Sequence, residues 1–89
     1  MNQIQLDLTG DPSFWPAKVD HIASELNLVV TLRGTLKSYP GSIHWHLKQG
    51  KAKGVLEITL WQDRAWLSVQ EGRKGDWIED AIKKFLELG

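Results

Sequence analysis

Cysteine is absent from this chain, and its absence excludes disulfides, thiol catalysis and thiolate metal sites. Net charge is absent as well. Eleven Lys and Arg balance eleven Asp and Glu, so no overall field draws the chain to nucleic acid or membrane, and charge-driven binding requires local clustering. No apolar run approaches membrane-spanning length, so no membrane partner is expected. The opening residues, MNQIQLDLTG, lack a basic stretch followed by an apolar one; no signal peptide is expected, and a cytoplasmic location is the default. Internal repeats, low-complexity tracts and linkers are also missing.

What remains is the composition of one globular α+β domain over residues 1–89, with 42% hydrophobic residues, 25% charged residues and five tryptophans. Ile4, Leu6 and Leu8 alternate with Gln5 and Asp7, predicting a half-buried first strand that ends at Gly10. Asp11-Pro12-Ser13 opens a helix whose apolar face carries Phe14 or Trp15, Val19, Ile22, Ala23 and Leu26, with Asn27 as its stop. Leu28, Val30 and Leu32 alternate in a second strand that reaches about Lys37, and Ser38-Tyr39-Pro40-Gly41 has turn chemistry. Strands follow around Ile43-Trp45-Leu47, Leu56-Ile58-Leu60 and Ala65-Leu67-Val69. Asp76 and Glu79 have capping-box spacing, and the helix they open buries Ile78, Ala81, Ile82 and Phe85 with Leu86.

The expected order is therefore β-α-β-β-β-β-α, a mostly antiparallel sheet with both helices packed on one face. The first strand, first helix and second strand form a parallel crossover. Matching core to core sets the register of the later strands. Leu47 pairs with Leu56 and Trp45 with Ile58, which brings His46 beside Glu57 and His44 beside Thr59 on the other face. A turn centred on Asp63-Arg64 sets Leu60 against Leu67, Ile58 against Val69, Trp61 against Trp66, Thr59 against Ser68 and Glu57 against Gln70. The helix-free face then carries His44, His46, Lys48, Glu57, Thr59, Trp61, Trp66, Ser68 and Gln70, joined by Thr31, Arg33 and Thr35 from the second strand.

Three features of that face bear on function. Trp61 and Trp66 side by side form either a ligand platform or a cross-strand pair contributing about 0.2–1 kcal/mol. Lys48, Lys51, Lys53, Arg73 and Lys74, five of the eleven basic residues, gather at one sheet edge near the start of the last helix, a candidate anion cluster. His44-x-His46 sends two imidazoles the same way from one strand, with Glu57 across the ladder, a candidate metal set. That spacing is similar to the His-x-His strand pair of carbonic anhydrases, over three residues and without the third histidine. No phosphate-loop, nucleophile-elbow or thiol motif is present, so no cofactor is implied and catalysis is not indicated.

The element order resembles a single repeat of the TATA-binding-protein-like fold, over the whole chain and by architecture alone. The resemblance implies a helix-free sheet face that contacts nucleic acid. Trp61 and Trp66 would be wedged against bases, and Arg33 and Lys48 would meet the backbone. It also implies dimerisation, because that family joins two repeats in one chain. The readings that follow are a small binding module for single-stranded or deformed nucleic acid, a homodimer that uses the same face, and a His44/His46/Glu57 metal site.

Overall fold

Alternation of period two produces five strands and the 3.6-residue stripe two helices, in the order expected. The structure, a computed structural model, describes residues 2–70, 72 and 74–88. Strands β1 (Asn2–Gln5), β2 (Val29–Gly34), β3 (Ile43–Lys48), β4 (Leu56–Trp61) and β5 (Arg64–Val69) form one sheet in the order β1-β5-β4-β3-β2. Helix α1 spans Trp15–Glu25 after a 3-10 turn at Pro12–Phe14, and α2 spans Asp76–Leu88. All four ladders are antiparallel. The expected crossover is present in direction only. β1 and β2 run parallel but occupy opposite edges, so α1 carries the chain across the whole sheet.

Local chemistry explains the helix ends. Asp11 Oδ1 accepts from the Ser13 amide at 2.9 Å, a bond that holds the Asp11 carboxyl below its ordinary pKa. At the other end Asn27 takes φ 57°. The Asn27 amide then bonds the Ser24 carbonyl and the Leu28 amide the Ala23 carbonyl, a Schellman stop. Trp15 is buried and Phe14 is exposed, which settles the first position of the apolar stripe. In α2 the buried positions are Trp77, Ile78, Ala81 and Phe85; Ile82 is partly buried and Leu86 lies outside the core.

Both helices cover one sheet face. Val19 and Ile22 of α1 and Ile78 and Phe85 of α2 share a single core with Trp45, Leu47, Leu56, Ile58 and Leu67. Trp45 is fully buried, and its indole N–H donates to Asp20 Oδ1 of α1 at 3.0 Å. This bond satisfies the one polar atom that so deep a tryptophan brings with it.

Two registers differ from expectation. The β4–β5 hairpin turns on Gln62-Asp63, with Trp61 opposite Arg64, Leu60 opposite Ala65, Thr59 opposite Trp66, Ile58 opposite Leu67 and Glu57 opposite Ser68. The tighter turn is possible because Gln62 adopts φ 57°, the positive φ that the first position of a two-residue hairpin turn requires. The displacement is two residues, so every side chain keeps its expected face while its partner changes. In β2 the ladder is irregular between Val30 and Leu32, where Thr31 forms a bulge. Past it, Leu32 lies opposite His46 and Arg33 opposite Trp45. The inward alternation expected at Leu32, and the open-face position expected of Arg33, are both corrected by that one extra residue.

Close backbone approach seats α2. Trp77 donates its indole N–H to the Lys53 carbonyl at 2.8 Å, and a Cβ at Gly75 would overlap that same oxygen. Gly75→Ala is expected to destabilise the domain by about 1–3 kcal/mol in urea unfolding. Gly34→Ala, where an added Cβ meets open space, should stay within about 0.5 kcal/mol. Equal effects of the two substitutions would contradict this packing.

Candidate metal centre on the helix-free face

The pairing of β3 with β4 builds the site. His44 and His46 are two residues apart on β3 and project to the same side, away from the helices. Glu57 lies directly across from His46 and Thr59 across from His44, as the core-to-core register predicts. Two transverse rows result. One runs Leu32, His46, Glu57, Ser68, Gln3, and the other Gly34, His44, Thr59, Trp66, Gln5.

The three ionisable side chains converge on their tips. His44 Nε2 lies 3.1 Å from Glu57 Oε1, His46 Nε2 lies 3.7 Å from the same oxygen, and the two Nε2 atoms are 3.2 Å apart. The His44 and Glu57 side chains are 8% and 5% exposed, that of His46 22%. On its other side His44 Nδ1 is 2.8 Å from Thr59 Oγ1. With Nδ1–H donating to that hydroxyl, the Nε2 lone pair faces Glu57 and His46, the tautomer that a ligating imidazole needs. Glu57 Oε2 is buried without a hydrogen-bond partner, the single such side-chain atom among the described residues.

Burial is the main influence on His44 and pushes its pKa down from 6.5; His46 adds to this, and the Glu57 carboxylate opposes it. The fold therefore accepts the neutral imidazole.

The aromatic pair is arranged differently from expectation. Trp66 is buried and faces Thr59, not Trp61. Tyr39, from the β2–β3 loop, packs edge-on against both tryptophans at 5.0 and 5.1 Å. The loop is tied down where Trp61 Nε1–H donates to the Pro40 carbonyl at 3.0 Å and the Leu36 amide donates to Ser42 Oγ at 3.1 Å. Tyr39 was legible only as a turn residue. The available signal was a large ring among small turn residues, one loop away from two tryptophans.

Arg33 leaves the face. Its guanidinium sits 5.4 Å over the Trp45 ring and 3.8 Å from Asp20 Oδ2. In its place Arg64 lies 5.4 Å over the Trp66 ring. The basic cluster is partly assembled. Lys53 and Lys74 line one hollow of about 370 Å³ with Asp76 at the start of α2, and Lys51 is exposed nearby in sequence. Lys48 belongs to the open face, opposite Val29, and Arg73 lies outside the described residues. No helix is long and apolar enough to cross a membrane among the described residues.

Compared with protein-family models, curated proteins and solved structures, the chain has no match.

The depressed His44 pKa has a consequence for the metal-free protein. Below pH 6.5 the unfolded chain binds the proton more readily than the fold does, so this contribution to stability is complete above pH 6.5 and is lost as pH falls through the depressed value. Urea midpoints measured after chelator treatment should decline over that window, and His44→Gln should flatten the decline. A wild-type midpoint as pH-independent as the variant's would rule the effect out.

Proposed function

We propose that this protein is a metal-binding domain that holds a divalent transition-metal ion of the zinc class through His44 Nε2, His46 Nε2 and Glu57 Oε1. The observation that carries this reading is the triangle formed by those atoms. Three atoms at these separations lie on a circle of radius about 1.9 Å, so an ion about 2.0–2.1 Å from each sits ~0.6 Å out of their plane, close to a tetrahedral apex. Without an ion, one proton can serve only one of the three contacts, whereas a cation serves all three. The Thr59 bond to His44 fits the same reading, since ligating imidazoles are held by such outer contacts, and the orphaned Glu57 Oε2 belongs to a buried carboxylate that the protein alone does not satisfy.

Two nitrogens and one carboxylate suit zinc, or the iron(II) chemistry of two-histidine, one-carboxylate sites. Calcium and magnesium call for oxygen donors. The nucleic-acid and self-association readings of this face rely on tryptophan ring surface, much of which Tyr39 takes up. The metal reading needs none of that surface.

Zinc at a hundredfold excess over its Kd should stabilise the fold by about 2.7 kcal/mol, ~10 °C or more in Tm for a domain of this size. Magnesium should produce no shift. His46→Ala and Glu57→Gln should each weaken zinc binding by at least about tenfold in calorimetry. A wild-type Tm that zinc leaves unchanged would end the proposal.

A further inference from the structure

The ion's remaining coordination direction has a chemical setting of its own, and an inference about it rests on the metal reading above. All three donors rise from β3 and β4 on the same side of the sheet and line one groove, so an ion seated on them would be reached from that groove. The groove has a volume of about 600 Å³, within the ~300–1,000 Å³ typical of small-molecule sites. Among the described residues that line it, no His, Asp or Glu beyond the triad is available as a fourth ligand. The fourth position is thus left to water or an exchangeable ligand, the feature that separates open zinc sites from closed structural ones.

Charge and polarity narrow the ligand class. A divalent cation with one carboxylate ligand keeps a net positive charge, and no second carboxylate lines the groove among the described residues to cancel it. An oxygen anion is favoured at such a position. The walls are apolar on one side: Leu32, brought there by the bulge, is 46% exposed, and Leu36, Tyr39 and Trp66 continue the surface. An ordinary hydrated anion would leave that surface wet. We propose that the open position takes a small carboxylate, one oxygen on the metal, with an aromatic or branched apolar tail against Leu32, Leu36 and Tyr39.

Cobalt(II) is the probe, because its visible absorption reports ligand exchange at a site suited to zinc. The full chain loaded with cobalt is titrated with acetate and, separately, with benzoate. Both should alter the cobalt bands, benzoate at roughly tenfold lower concentration, the ratio expected from burying an aromatic face. Tyr39→Ala and Leu32→Ser, each checked for folding by circular dichroism, should both narrow that ratio. Bands that respond to neither carboxylate, or equally to both, overturn the proposal while tight cobalt binding keeps the metal reading intact. Failure of cobalt to bind at all removes both.

Discussion

The pairing of β3 with β4 is the constraint on which the rest of the structure depends. Successive residues on a strand point to opposite faces, so one register decides both what is buried and what is presented. With Trp45 across from Ile58 and Leu47 across from Leu56, the core beneath is continuous and His44, His46, Glu57 and Thr59 must stand together above it. A slip of one residue would bury two imidazoles and a carboxylate under the helices and expose Trp45, a change that no compensation in this small core could offset. The site and the core share one anchor. Trp45, held by Asp20 below, fixes the strand whose other side carries both histidines.

That arrangement has an electrostatic cost which the metal reading explains. His44 and Glu57 are removed from water almost as completely as core residues, and one carboxylate oxygen has no partner. Buried polar groups are normally satisfied, and a half-satisfied cluster is less stable than an apolar one of the same shape. A bound cation would reverse the balance, since its affinity for the folded arrangement adds directly to folding stability. The depressed pKa of His44 follows the same logic, because the fold favours the neutral ring that a metal would need.

The surroundings of the triad come from two departures from regularity. The bulge at Thr31 turns Leu32 onto the open face and sends Arg33 to the helix side, where it caps Trp45 and meets Asp20. One inserted residue thus supplies an apolar wall above the sheet and a cationic clasp below it. The loop after β2 folds back so that Tyr39 wedges against Trp61 and Trp66. Together these convert a flat, half-polar sheet face into a groove beside the converging histidines.

The sequence by itself determined the element order, the face on which each side chain of β3, β4 and β5 lies, and the adjacency of His44, His46, Glu57 and Thr59. Those follow from period-two alternation and from a hairpin whose core residues admit one good match. It did not determine the β4–β5 pairing, because Gln62 carries none of the glycine or asparagine chemistry that usually announces positive φ in a turn. Nor did it reveal the bulge, since Val30, Thr31, Leu32 and Arg33 alternate correctly on paper. Tyr39 lay beyond reach because its partners come from a different hairpin. Tertiary structure alone decided how closely the tips of His44, His46 and Glu57 meet. Alternation places side chains on a face, but the distance between their tips depends on rotamers, and these answer to contacts such as the Thr59 bond to His44.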